Sequence, residues 1–275
     1  LDEMGGQAAF KATAAPGDAR RLAAEAVRDG FDVIAAAGGD GTINEVLNGI
    51  GDARGFDRTR FGVLPLGTVN VFARDLKIPL RLESAWEVLR RGYERILDVP
   101  QVEFSDNGVV KKQYFIQLAG AGLDARAIEL VSWSHKKKIG PLAYVVAGLK
   151  ALRERKPQVR AQKDSEAAGS SDGELVLIGN GKLYGGSFNI FPKADFNDGL
   201  LDVCIVPRTD FGTLLRCAPD LLLRLKLPEG TVKRFQAASF ELAGDATTAF
   251  QLDGEGIGKL PAKFSIAGEK LRVIA

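Results

Sequence analysis

The chain has 275 residues, 45% hydrophobic and 26% charged, the profile of a soluble globular protein long enough for one large domain or two ordinary ones. Its 37 basic and 35 acidic side chains nearly cancel, so no global field calls for nucleic acid, and no apolar run reaches the ~20 residues needed to span a bilayer. Cys204 and Cys217 lack metal-ligand spacing and suggest a reducing, cytoplasmic setting, although a single disulfide between them stays open.

Up to residue 98, strand and helix patterns alternate. RRLAAEAVRDG (20–30) has apolar residues at helical spacing and ends on Gly30, a C-cap residue. FDVIAAA (31–37) reads as a short buried parallel strand. TINEVLNGI (42–50) predicts a helix with a Thr42–Glu45 capping box. FGVLPL (61–66) is a second buried strand, TVNVFARDL (68–76) a helix capped by Thr68, and ESAWEVLRRG (83–92) a third helix. The expectation is an α/β domain with a parallel sheet over residues 1–98.

Beyond residue 98 the pattern is mostly extended. QYFIQLAG, GELVLIGNG, SFNIFPKA, LLDVCIVP, FQAASFELAG, TAFQLDGE, KFSIAG and KLRVIA are short strand candidates between Gly, Asn and Asp turns, which predicts a β-sandwich over 99–275. Helical patches interrupt it at 140–155 and 211–226, and 162–173 reads as a solvated loop. Cys204 is expected in a buried strand and Cys217 in a helix core. The Leu-rich stretch 214–227 is expected to be core, membrane docking being the alternative, and His135 with Lys136, Lys137 and Lys138 a solvated turn, headgroup contact by these lysines being the alternative.

AAAGGDGTINEVLNGI (35–50) ends an apolar strand with glycines 38, 39 and 41, which permit close backbone approach to a ligand. The N–H groups opening the next helix suit a phosphate, and Asp40 adds a carboxylate for Mg²⁺ or nucleotide positioning. A tight turn alone would also explain the glycines. LPLGTVN (64–70) repeats the design with Gly67 and Thr68, and two such loops at the carboxyl ends of one sheet favour a shared phosphate site.

GGDGTINEVLNGI followed by LPLGTVNVFARDL closely resembles the diacylglycerol kinase catalytic family, which includes bacterial lipid kinases and sphingosine kinases. The resemblance continues through LAGAGLDA (118–125), KKKIGPLAYVVAGLKAL (136–152), FNIFPKADFNDGLLDVCIV (188–206) and FQLDGEGI (250–257), covering nearly the whole chain. It implies an ATP-binding α/β domain and a β-sandwich domain with the active site between them. By resemblance, ATP would be held by Gly38, Gly39, Asp40, Gly41, Thr42, Ile43 and Asn44, with Thr68 and Thr13. Asp253 and Glu255 match the family's Asp-Gly-Glu acids, one of which is the proton acceptor, and Asp40 joins the catalytic set. Asp195, Asp198 and the carbonyl of Leu200 match a Mg²⁺ site, and Asp124 matches an acid near the active site. The family's opening strand and Asn-Pro-x-x-Gly loop have no counterpart before Thr13; they are expected to precede Leu1 in the natural protein, the loss of one wall of the nucleotide site being the alternative.

Phosphoryl transfer needs in-line positioning, charge neutralisation at the γ-phosphate and a base at the acceptor hydroxyl. By resemblance one of Asp253 and Glu255 is expected at the hydroxyl, Asp253 being favoured, while the other holds metal or a helix end. The expected activity is ATP- and Mg²⁺-dependent phosphorylation of diacylglycerol or a related lipid by a cytoplasmic protein in transient contact with the membrane surface, nucleic acid being excluded and a homodimer left open. An NAD kinase-like small-molecule kinase and a non-catalytic nucleotide- or lipid-sensing module are the alternatives.

Overall fold

A computed structural model describes residues 8–130, 157–164, 170–228 and 230–275. The early apolar runs form α1 (Asp18–Arg28), β1 (Val33–Gly38), α2 (Asp40–Asp52), β2 (Arg60–Pro65), α3 (Val71–Asp75) and α4 (Leu82–Arg91). β1 and β2 pair in parallel in register, Val33 opposite Arg60 through Gly38 opposite Pro65, so both strands end at one edge. Their core includes Ile43, Leu47, Ile50, Phe61, Val63 and Phe72.

Two local expectations change. Glu45 closes no capping box, because α2 is capped by Gly39. Its carboxylate instead accepts from the N–H groups of Gly17 (2.8 Å) and Ala19 (3.0 Å) at the start of α1, whose own N-cap, Gly17, has no side chain to do so. Thr68 caps nothing, because α3 begins only at Val71 behind Asn70. The Asn70 amide accepts from Gly67 N–H (2.9 Å) and donates to Gly67 C=O (2.7 Å), closing residues 67–70 into a loop that a helical turn would open.

The remaining elements are β3 (Glu94–Asp106), β4 (Val109–Tyr114), β5 (Leu118–Gly122), α5 (Leu123–Leu130), β6 (Val159–Lys163), β7 (Ser170–Gly173), β8 (Leu175–Gly179), β9 (Leu183–Tyr184), β10 (Phe188–Asn189), β11 (Leu201–Val206), α6 (Phe211–Arg224), β12 (Lys233–Ala237), β13 (Ser239–Gly244), β14 (Ala249–Leu252), β15 (Glu255–Lys259) and β16 (Ala262–Ile274). Among the described residues they form a six-stranded antiparallel sheet, β12-β11-β8-β5-β14-β15, facing an eight-stranded mixed sheet, β1-β2-β16-β13-β6-β7 with β3 and β4 branching from β16. Phe104, Phe240, Phe250 and Phe264 fill the sandwich core, with Phe240 and Phe264 stacked at 5.6 Å.

KFSIAG and KLRVIA are one strand, β16, with an irregularity between Ile266 and Lys270. Its Phe264 lies in the sandwich core and its Leu271 and Val273 in the N-terminal core, so the end of the chain returns to the first layer. FQAASFELAG splits at Ala238, β12 joining one sheet and β13 the other. SFNIFPKA is extended only at Phe188–Asn189, and 162–173 is partly strand, in β6 and β7. Cys204 and Cys217 are both buried free thiols, and burial pushes the Cys204 thiol up to about 11. The 140–155 patch and residues 135–138 lie outside the described residues.

Candidate active site at the junction of the two layers

Because β1 and β2 end together, the Gly38–Thr42 and Leu66–Asn70 loops lie against each other. A Cβ on Gly67 would stand 2.4 Å from the Cα of Gly39, so this contact is backbone on backbone. The first four N–H groups of an α-helix have no intrahelical acceptor, and from the Gly39 N-cap these are Gly39, Asp40, Gly41 and Thr42. Ile43 differs from the expectation: its N–H donates to Gly39 C=O (3.1 Å) and its side chain is fully buried core. Asn44 is also buried, and its amide donates to Asp253 Oδ2 (2.7 Å) and Tyr114 C=O (3.3 Å). Asp40 accepts weakly from Phe72 N–H at 3.4 Å. Thr68 and Thr13 are exposed, Thr13 in the segment leading to α1.

Across from these loops, β14 and β15 meet in a two-residue turn formed by Asp253 (φ 47°) and Gly254 (φ 87°). Asp253 therefore lies in the turn and Glu255 opens β15, so the two acids do not share one extended strand. The Asp253 carboxylate accepts four hydrogen bonds: Asn44 Nδ2 and Ile116 N–H on Oδ2, Gln117 N–H and Leu118 N–H on Oδ1, at 2.7 to 3.0 Å. Burial still pushes this carboxyl above the usual carboxylate range. It is the pin between α2, the segment before β5 and the β14–β15 turn. Glu255 is exposed and reaches the Gly38–Thr42 loop, its Oε1 lying 2.8 Å from where a Cβ on Gly41 would stand.

Several junction residues escaped the sequence reading. Asp75 Oδ2 accepts from Gln117 Nε2 (2.7 Å), Lys182 N–H (2.7 Å) and Leu183 N–H (3.0 Å), tying α3 to β9. Asn48 accepts from Tyr114 N–H and donates to Tyr114 C=O, both at 2.9 Å. Gln251, fully buried, donates to Asp124 Oδ2 (2.8 Å) and accepts from Gly254 N–H (2.8 Å), so it links Asp124 to the acid turn. Asp124 is buried, also accepts from the Tyr184 hydroxyl, and its carboxyl is pushed up by burial. Polar residues inside apolar runs (Asn44 and Asn48 four apart on a helix, Gln251 in a buried strand) were the available signal.

The expected Mg²⁺ residues sit before β11. Asp195 and Asp198 each accept a backbone N–H two residues on, from Asn197 (3.0 Å) and Leu200 (2.9 Å). Asp98, fully buried, accepts from Gly199 N–H (2.8 Å) and pairs with Lys270. Burial, then the Asp195 and Asp98 charges, raise the Asp198 carboxyl, so two side-chain acids repel each other where a hard cation would relieve them. Among the described residues no three His, Cys, Asp or Glu side chains converge on a metal position, so such an ion would depend on the Leu200 carbonyl and water as well.

The diacylglycerol kinase catalytic domain family matches residues 1–102, and the YegS C-terminal NAD kinase beta sandwich-like domain matches 117–275. The diacylglycerol kinase of Bacillus subtilis is 33% identical over 268 residues, covering 96% of this chain and 84% of that protein. A probable lipid kinase YegS-like protein of Pseudomonas aeruginosa is 32% identical over 283 residues, with 98% and 85% covered. A crystal structure described as a diacylglycerol kinase from Bacillus anthracis shares the fold, with a TM-score of 0.69 at 23% identity over 95% of this chain and 82% of that one. With both halves of the junction matched in order, the chain belongs to the diacylglycerol kinase catalytic family of lipid kinases.

Proposed function

We propose that the chain transfers the γ-phosphoryl group of ATP to a hydroxyl of diacylglycerol or a related membrane lipid, with Mg²⁺. The observation that carries this reading is the position of the Glu255 carboxylate over Gly41, at the mouth of a loop whose N–H groups suit phosphate oxygens.

Gly39, Asp40, Gly41 and Thr42 supply backbone donors to the phosphates, and the Gly67–Asn70 loop forms the second wall. Glu255 takes the proton of the acceptor hydroxyl as its oxygen bonds to phosphorus and the bond to the ADP oxygen breaks. Asp253 is the weaker candidate base, because its lone pairs already accept four hydrogen bonds. It sets the turn that carries Glu255. Asp124, held by Gln251 and Tyr184, is a buried positioning acid one hydrogen bond from that turn. Mg²⁺ bound at Asp40 with the nucleotide would neutralise developing phosphate charge, and a second ion at Asp195, Asp198 and the Leu200 carbonyl would brace the loop before β11.

Among the described residues no helix is long and apolar enough to cross a membrane, so a lipid substrate would be met at a bilayer surface. Labelled γ-phosphate supplied as ATP, with and without Mg²⁺, tests the reading against a panel of diacylglycerol, phosphatidylglycerol, sphingoid bases and NAD. Transfer to a lipid hydroxyl is expected. Transfer to NAD alone, or none from ATP, would refute it.

A further inference from the structure

Helix α6 buries Cys217, whose thiol sits 3.9 Å from the Thr231 hydroxyl, and is anchored by an Asp210 N-cap accepting from Thr213 N–H at 2.7 Å. On its other side Phe211 is 79% exposed, Leu215 66% and Leu223 83%. At about 100° per residue these three positions fall within one arc of roughly 120°, with Cys217 opposite. Singly exposed apolar residues are ordinary, but three large ones on one face of one helix form a patch. Leu215 and Leu223 thus depart from the core expectation for 214–227 and leave its membrane-docking alternative open, while Cys217 keeps to the core.

The surroundings are cationic. Arg208, Arg216, Arg224, Lys226 and Lys233 are exposed. Segment 208–234 contains six basic residues, these five and Arg234, against three acids, Asp210, Asp220 and Glu229. Asp210 serves as the helix cap and Asp220 pairs with Arg224 at 3.2 Å. An apolar stripe bordered by net positive charge complements one kind of surface, a bilayer with anionic headgroups.

We propose that α6 docks the protein on anionic membranes, bedding Phe211, Leu215 and Leu223 at the headgroup boundary while Arg216 and Lys226 meet lipid phosphates. The position suits the active site. Just past α6, the Leu225 carbonyl accepts from Asn189 N–H (2.7 Å) in β10. Its partner strand β9 carries Tyr184, which donates to Asp124, and Leu183, which donates to Asp75. The bilayer would thus lie one hairpin away from the junction. Only this last consequence rests on the lipid-kinase reading.

The test is co-sedimentation of the full chain with vesicles of phosphatidylcholine, alone or in equimolar mixture with phosphatidylglycerol, at low and high salt. Wild type should bind the mixed vesicles, with salt weakening the interaction. Phe211→Ser with Leu215→Ser should lose about tenfold or more in binding, and Arg216→Glu with Lys226→Glu a similar factor on anionic vesicles alone. Since all four side chains are exposed, melting temperatures should hold, and phosphorylation of a short-chain, monomeric diacylglycerol should continue at the wild-type rate. Wild-type vesicle binding by both double variants overturns the proposal. So does a change of oligomeric state in the Ser variant with vesicle binding intact, which would make the face a protein interface. Sedimentation needs no turnover, so failure to phosphorylate any lipid would count against the kinase reading and leave the docking result standing.

Discussion

Gly67 and Gly39 touch through their backbones, and that contact sets the width of the cleft between the two loops. A Cβ on Gly67 would lie 2.4 Å from the Cα of Gly39 and 2.7 Å from Asn70 Oδ1, so Gly67→Ala must push the walls apart. A Cβ on Gly41 meets only the end of the flexible Glu255 side chain. Gly67→Ala is expected to weaken ATP binding by about tenfold or more, and Gly41→Ala to lower turnover while sparing ATP affinity, as read by calorimetric titration beside initial rates.

Asp253 and Glu255 should separate by the kind of damage their loss causes. Asp253→Asn replaces an oxygen that accepts two buried donors with an amide that cannot, costing about 2–4 kcal/mol of stability and lowering the melting temperature. Glu255→Gln should leave the melting temperature near wild type and lower the rate by about 10²–10⁴-fold at unchanged ATP affinity. Near-normal turnover in Glu255→Gln would move the base elsewhere.

Asp40→Ala should abolish activity without unfolding the protein. The only hydrogen bond seen at its carboxylate among the described residues is the 3.4 Å contact from Phe72 N–H, so stability should change by less than about 1 kcal/mol. A variant with wild-type melting and more than about half of wild-type turnover would remove this loop acid from the mechanism.

Asp124 carries a pH signature. Its folded-state carboxyl is raised above the ordinary 3.8 by burial, so the folded state holds the proton more tightly and this group's contribution to stability falls as pH rises through the folded value. Asp124→Asn stays neutral throughout. The melting temperature of the variant relative to wild type should therefore be highest at neutral pH and decline as pH falls toward about 4. A pH-independent difference between the two melting curves would refute the shift.

Mg²⁺ should raise the melting temperature through the loop before β11. Asp198→Ala is expected to remove most of that rise, since the repulsion among Asp198, Asp195 and Asp98 is what the cation relieves. An undiminished rise in the variant would place the stabilising ion elsewhere.

The sequence alone determined where the two glycine loops fall between strand and helix. An apolar strand, a run of glycines and an apolar-periodic helix can be read within about 15 residues, because strand burial, backbone freedom and helix start signals are near-neighbour properties. The Asp253–Gly254 turn is different: its residue types suit positive φ at both positions, yet only the pairing of β14 with β15 shows a turn where TAFQLDGE reads as one extended run. Tertiary structure decided what each polar side chain does. Glu45 caps α1 and not its own helix, Asn44 donates to Asp253, and Asp253 is a pin while Glu255 reaches Gly41. Those partners lie 26 to 214 residues apart in sequence. A buried donor or acceptor takes whichever partner the fold brings within about 3 Å, and no local pattern encodes that choice. The exposed apolar stripe of α6 has the same origin: its periodicity marks an amphipathic helix, and only packing shows which apolar residues the core leaves outside.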